Sequence, residues 1–133
     1  MDFIPGIGAT ASGLDAQRVR LEAIAQNLAN INTTKTASGG AYQRQVVSFV
    51  QELDRAGNMG VRVDSVTSDK SEGVSRYEPS HPHADEKGML QMPNVSLSHE
   101  MVDMLSASRA YEANLSVAKT SRSLAQKALE IGR

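Results

Sequence analysis

Residues 7–31 read IGATASGLDAQRVRLEAIAQNLANI, and the spacing of their apolar side chains decides the fold. Ile7, Leu14, Leu21 and Leu28 repeat at every seventh position. Ile24 and Ile31 fall three positions after Leu21 and Leu28, and Ala11 and Ala25 fall four positions after Ile7 and Leu21. A stripe at these offsets, sustained over more than three heptads, predicts an amphipathic helix from Ile7 to Ile31. Asp15, Gln17, Arg20, Gln26 and Asn27 form its polar face. Pro5-Gly6 precede it, and Gly8 and Gly13 weaken its first turns. Asn30, Asn32, Thr33 and Thr34 end it, because short polar side chains compete with the helical backbone for hydrogen bonds.

A second helix is predicted from about Val95 to Ile131, with Asn94 or Ser96 as its cap. Met101, Met104, Ser108, Tyr111, Leu115, Ala118, Arg122, Ala125 and Leu129 trace its apolar track, which Val117, Leu124 and Ile131 widen. Such a helix spans ~55 Å at the α-helical rise. Glu100 and Asp103 near its start and Lys127 and Arg133 near its end complement the helix dipole. It is longer than a chain of this size needs for its own core, so part of the stripe is expected to find partners outside the monomer. The stripe is rich in Ala and Ser, which bury little area per residue.

Between the helices the character changes. Residues 35–93 hold three of the four prolines, Pro79, Pro82 and Pro93. Ala37-Ser38-Gly39-Gly40 is a flexible loop. Tyr42–Val50 and Gly60–Asp64 read as strands joined through a turn at Ala56-Gly57-Asn58, with a third short strand near Val74–Tyr77. Pro79 to His83 is extended, since each proline restricts itself and its predecessor. The expected fold is therefore mainly α. Long N- and C-terminal helices pack as an antiparallel coiled-coil-like pair, with a small β-hairpin and extended-loop insert between them. The segments divide at 1–34, 35–93 and 94–133.

Composition narrows the function. The chain has 133 residues, no Cys, no Trp, two Phe and three Tyr, and a formal net charge of −1. No field of one sign favours nucleic acid or an anionic membrane. Without cysteine there is no disulfide framework or thiolate chemistry. No apolar run reaches the ~20 residues of a membrane-spanning helix. Met1–Gly6 lacks a basic region and a long apolar run, so no Sec-type signal peptide is expected there.

The search for chemistry returns little. His81, His83, Asp85 and Glu86 are the only cluster that resembles a metal site, but Pro82 splits the His pair within a loop, which reads as solvated. No Gly-x-Ser-x-Gly elbow, phosphate loop or dinucleotide fingerprint occurs. The expectation is no enzyme, no cofactor and no metal. Arg18 and Arg122 stand out because they fall on the apolar tracks, where a charge costs free energy unless it is paired. They read either as register devices between subunits or as snorkelling side chains.

Four blocks of residues carry a resemblance. Ser12-Gly13-Leu14-Asp15-Ala16-Gln17-Arg18 followed by Ala25-Gln26-Asn27-Leu28-Ala29-Asn30-Ile31-Asn32-Thr33 resembles the N-terminal signature of the flagellar axial proteins, the rod, hook and hook-associated subunits. Thr36-Ala37-Ser38-Gly39-Gly40 with Tyr42, Arg44 and Gln45 is similar to the proximal rod branch of that family. So are Tyr77-Glu78-Pro79-Ser80-His81-Pro82 with Ala84, Gly88 and Met92-Pro93-Asn94-Val95, and Glu100 to Asp103 with Ala107 to Asn114.

The resemblance implies a subunit that polymerises into the rod, the drive shaft that crosses the periplasm and carries torque from motor to hook. It implies partners in copies of itself, in the proximal and distal rod subunits and in the rod–ring junction protein. It implies passage through the flagellar type III export gate, for which Phe3 and Ile7 fit a short recognition motif. Nucleic acid and a membrane span are not expected. The family signature assigns Asn27, Asn30 and Asn32 to the turn after the first helix. The assembly stripe is expected in Ile7, Leu14, Leu21, Ile24, Leu28, Met101, Met104, Tyr111, Leu115 and Leu129. The alternatives are another proximal rod subunit, a coiled-coil adaptor or chaperone of type III export, and a metal-dependent enzyme built on His81 and His83.

Overall fold

The computed structural model describes residues 6–53 and 57–132. Helix α1 covers Ile7–Ala29 and helix α2 covers Leu97–Ile131. Between them lie β1 (Gln45–Leu53), β2 (Met59–Ser68), β3 (Ser75–Tyr77) and β4 (Met89–Gln91), paired as β1 with β2 and β3 with β4. The protein is mainly helical with a β insert of two small antiparallel sheets.

Helix α1 begins where expected. The Thr10 hydroxyl donates to the Gly6 carbonyl at 2.8 Å, beside the Thr10 amide bond to the same oxygen at 3.0 Å. It ends two residues earlier than the apolar stripe suggests, at Ala29. The Asn30 side-chain amide donates to Gln26 O at 2.9 Å, and its oxygen accepts the Thr33 hydroxyl at 3.1 Å. Ile31 follows the helix as part of the turn. Helix α2 starts after Ser96, whose carbonyl accepts the Glu100 amide at 3.0 Å. Asn94 is engaged elsewhere and does not cap it.

The strand expected at Tyr42–Val50 is shifted to Gln45–Leu53, because Tyr42 and Arg44 are held by loop partners before the ladder begins. Strand β2 runs longer than the alternation at Gly60–Asp64, through to Ser68. Strand β4 was not anticipated; it pairs antiparallel with β3 as Ser75 with Gln91, Arg76 with Leu90 and Tyr77 with Met89. Three residues are too few for a periodicity to register. The connection from 78 to 88 is tightly bonded. Asp85 accepts the Lys87 and Met89 amides at 2.9 and 2.8 Å, and Gly88 turns with φ 75°. A Cβ at Gly88 would lie 2.9 Å from the Tyr77 ring and from the Pro79 Cβ, so only glycine closes this turn without strain.

The chain forms two compact units. The first is Met1–Leu21, Val47–Ser65 and Leu105–Arg133; the second is Glu22–Val46 and Val66–Met104. In the first, the buried described residues are Thr10, Ala16 and Ala107. Gly13 lets α2 come close: a Cβ there would meet the Asn114 amide nitrogen at 3.1 Å. In the second, the buried residues include Ala23, Ile24, Asn27, Leu90 and Glu100.

These positions change the reading of both apolar stripes. On α2 the inward line runs through Met104, Ala107, Tyr111, Asn114, Ala118, Ser121 and Ala125, all buried or half-buried. Met101, Leu115 and Leu129, from the same predicted track, are 50 %, 36 % and 56 % exposed. On α1, Ile24 is buried, Leu14, Leu21 and Leu28 are half-buried, and Ile7 is exposed. The face read as polar holds Asn27, which is fully buried, and Gln17 and Arg20, which are half-buried. The seams each unit closes for itself are made of small and polar side chains.

Candidate functional site

The second unit is organised around two side chains with no solvent exposure, Asn27 and Glu100. Asn27 is in the last turns of α1, and Glu100 is in the first turn of α2. An uncompensated buried amide or carboxylate is costly, so both need partners with correct geometry. Both have them.

The Asn27 amide uses its full capacity of two donors and two acceptor sites. Its Nδ2 donates to the Gln45 carbonyl at 3.0 Å and to Glu100 Oε2 at 3.1 Å. Its Oδ1 accepts the Gln45 amide at 2.7 Å and the Tyr42 hydroxyl at 3.0 Å. A primary amide presents the same donor–acceptor pair as a peptide group. Asn27 therefore stands in for a neighbouring strand at the first residue of β1. Aspartate could not donate to Gln45 and would set a second carboxylate against Glu100.

Glu100 accepts from Arg44 Nε through its other oxygen, and Arg44 Nη2 reaches Asp103 Oδ2 at 3.0 Å. Glutamate in the first turn of a helix also faces the positive end of the helix dipole. The bond to Glu100 raises the Arg44 guanidinium above its already high range, against the opposing effect of burial, with the Glu100, Asp103 and Asp69 charges adding to the rise. Burial first, and the Glu100 charge second, raise the Tyr42 hydroxyl above the usual tyrosine range.

A second amide extends the network. Asn94 Oδ1 accepts the Arg44 amide at 2.7 Å, and its Nδ2 donates to the carbonyls of Asp69 and Ser71, each at 2.9 Å. The Asp69 amide donates back to the Arg44 carbonyl at 2.8 Å. Ser71, through its backbone amide and then its hydroxyl, lowers the Asp69 carboxyl below the usual range. Helix α1, the entry to β1, the exit from β2 and the entry to α2 are thus bonded to one another by side chains.

Beside this network lies an open groove of about 620 Å³ lined by Gly39, Gln43, Ser68, Lys70, Glu72 and Gln91 among others. Its amides and hydroxyls largely serve each other, as Gln45 with Ser68 at 2.9 Å and Gln91 with the Gly73 carbonyl at 2.8 Å. His81 and His83 pack edge to face with centroids 5.2 Å apart, and His83 Nδ1 is bonded to the Thr34 hydroxyl at 2.9 Å. Among the described residues no group of three or more His, Cys, Asp or Glu is arranged to hold a metal ion, and no helix is long and apolar enough to cross a membrane.

The residues expected to mark the turn divide. Asn30 bonds within the turn, Asn32 is exposed, and Asn27 reaches out of the helix to the strand and to α2. Phe3 lies outside the described residues, and Ile7 is the first residue of α1. Tyr42, Arg44 and Glu100 were not singled out from the sequence as a site. Glu100 had been read only as a complement to the helix dipole. The signal that carries them is a strand entry whose polar residues, Tyr42 and Arg44, have no place in a ladder of their own.

A network of this kind ties elements of the chain together, and comparison with known proteins supplies the class, a structural subunit of the flagellar basal-body rod. Residues 8–35 match the family described as flagella basal body rod protein, and residues 86–131 match the flagellar basal body rod FlgEFG protein C-terminal family. The chain is 41 % identical to the flagellar basal-body rod protein FlgC of Borreliella burgdorferi, covering 98 % of both chains. It is 35 % identical to that of Bacillus subtilis over the whole of both, and 40 % identical to that of Salmonella typhimurium over 92 % of both. The chain belongs to the FlgC family of flagellar basal-body rod proteins. It is a structural subunit and not an enzyme.

The raised Tyr42 hydroxyl gives a pH prediction. The folded state favours the protonated phenol, so this contribution to stability is complete below the unfolded-state value near ~10 and is lost as pH rises through the folded value. Urea denaturation as a function of pH should show stability falling above that point. In Tyr42→Phe that component should be absent, with a loss of about 1 kcal/mol at neutral pH from the missing bond to Asn27. An unchanged alkaline decline in the variant would contradict the assignment.

Proposed function

We propose that the chain is a proximal-rod subunit that polymerises through its terminal helices into the drive shaft carrying torque from motor to hook. The observation that carries this reading is the mismatch between what α2 buries and what it exposes. Beyond Met104 its inward line is built of Ala, Ser, Asn and Tyr, while Leu124, Leu129 and Ile131 are 63 %, 56 % and 86 % exposed. Large aliphatic side chains on one helix, left in water, mark a surface meant to be covered.

In this reading α1 and α2 pair as an antiparallel coiled-coil-like hairpin. Each unit taken by itself supports a contact between the two helices: Gly13 faces Asn114 in the first, and Asn27 bonds Glu100 in the second. Of the stripe expected for assembly, Ile7, Leu14, Leu21, Ile24 and Leu28 on α1 with Met101, Met104, Tyr111, Leu115 and Leu129 on α2, the exposed Ile7, Met101, Leu115 and Leu129 are left for neighbours, while Ile24, Met104 and Tyr111 turn inward within their own units. Segment 1–34 holds the first helix and the export region, 35–93 the outward insert and 94–133 the second helix. The partners are copies of the chain, the other proximal and distal rod subunits and the rod–ring junction protein. The rod lies across the periplasm, reached through the type III export gate, which reads Phe3 and Ile7.

Two tests bear on this. Leu129→Asp, at an exposed position, should leave the free chain's melting temperature unchanged and abolish both its incorporation into basal bodies and swimming. Normal swimming would sink the stripe. Phe3→Ala should lower the amount of chain secreted, by several-fold in immunoblots of the exported fraction, without changing its cellular level; undiminished secretion would remove the gate assignment.

A further inference from the structure

Strand β1 has one strand neighbour, β2. Successive residues of a paired strand turn their amides and carbonyls to opposite edges. Gln45 turns both groups to the Asn27 amide, whereas the Arg44 carbonyl before it takes the amide of Asp69, the residue after β2. Val46, Ser48, Val50 and Glu52 therefore face β2, and Val47, Phe49 and Gln51 face the outer edge. Among the described residues no other backbone segment bonds those three on that side. Every residue from Ser48 to Leu53 is exposed, so this stretch of the edge is open to water. The two edges of the ribbon are not alike. On β2 the Ser12 hydroxyl accepts the Val61 amide at 3.1 Å, and Arg62 and Asp64 place charges in the strand. Strand β1 reads QVVSFVQEL, with no Lys, Arg, Pro or Gly. Its one charge, Glu52, is held by Arg62 at 3.5 Å. A long edge strand without protective charges, prolines or bulges is a template for a further strand.

We propose that the outer edge of β1 pairs antiparallel with the same edge of a second copy, centred on Phe49. The strand is self-complementary about that residue. A twofold pairing sets Phe49 against Phe49, and Val47 against Gln51 in both directions, so the outward amides and carbonyls of all three are bonded. Glu52 falls opposite Val46, so no like charges meet. The Phe49 side chain, 39 % exposed in the single chain, gains an aromatic neighbour directly across the pair. A ribbon of two strands is marginal in water, and the pairing doubles it. A strand of another chain could use the same bonds; the neutral, balanced sequence on either side of Phe49 favours a second copy. A twofold pair closes on itself and stops at two chains. It does not depend on the rod reading. In a shaft whose subunits all point one way, like strands run in one sense, so the antiparallel pair belongs to the free chain.

Sedimentation equilibrium of the purified full-length chain over a dilution series tests this. The 14.3 kDa chain is expected to give a species of twice that mass that dissociates on dilution. Phe49→Pro removes an amide that faces away from β2, which an edge strand tolerates. It should give the single-chain mass throughout, with an unchanged circular dichroism spectrum. Single-chain mass for the native protein at every concentration would overturn the inference, as would a dimer that survives in Phe49→Pro or growth beyond two chains. If the proline disturbs the fold, cysteine trapping decides, since the chain has no cysteine of its own. In Phe49→Cys each sulfur meets its twin across a bonded pair with ~5.5 Å between Cα atoms, a separation that a disulfide spans. Leu53→Cys, exposed on the same strand, falls opposite Gln45 and away from its twin. Mild oxidation should give covalent dimers of the first variant and not of the second. Equal yields, or none from either, would overturn the pairing. Incorporation into basal bodies is a separate measurement, so neither result bears on the rod reading.

Discussion

Glu100 carries a carboxylate with no exposure to water, and the rest of the second unit follows from what that carboxylate needs. Removing one partner of a buried charge costs about 3–5 kcal/mol, whereas a fully bonded charge is tolerated. Glu100 obtains Arg44 on one oxygen and Asn27 on the other. Neither can leave without exposing the carboxylate's deficit. Arg44 is kept in place by Asn94 on its amide and by Asp103 on its guanidinium. Asn27 is kept in place by both backbone groups of Gln45 and by Tyr42. One buried charge thus links the end of one terminal helix, the start of the other and the roots of the β insert. Apolar packing alone would allow those elements to slide; directional bonds to a single carboxylate do not.

The first unit is held differently. Its seam is made of Gly13, Ala16, Ala107, Asn114 and Ala118, where each side chain removes little area from water. At about 25 cal/mol per Å² of apolar area, such contacts add up slowly. Several of the larger apolar side chains of this unit are left exposed, on α2 and on the hairpin, where Phe49, Leu53 and Met59 are exposed. A subunit that spends its small residues on itself and keeps its large ones for neighbours is suited to a crowded tube.

The sequence was informative where periodicity is long. Both helices, the β character of the insert and the flagellar axial signature could be read before any coordinates. What failed was the assignment of faces. The seven-residue repeat of Leu14, Leu21 and Leu28 was assigned to assembly and Asn27 to the polar face, while the residues that close the seams within the chain, Ala16, Ala23 and Asn27, lie one or two positions from that repeat. Hydrophobicity ranks Leu above Ala and Asn, so it cannot indicate that the smaller residues are turned inward and the larger ones kept for assembly. The network escaped for a related reason. Asn27 and Glu100 are separated by 73 positions and read as an ordinary polar face and an ordinary first-turn acid. Nothing local marks a polar residue as buried when its partners come from three other segments.

The claim that everything else depends on is that the Asn27 amide joins α1, β1 and α2. Urea denaturation of the full-length chain and of Asn27→Ala measures it directly. The substitution leaves the Gln45 amide and carbonyl unpaired and takes one donor from Glu100, which together should lower the unfolding free energy by about 3 kcal/mol or more. A loss below about 0.5 kcal/mol, the range of an ordinary surface substitution, would contradict it.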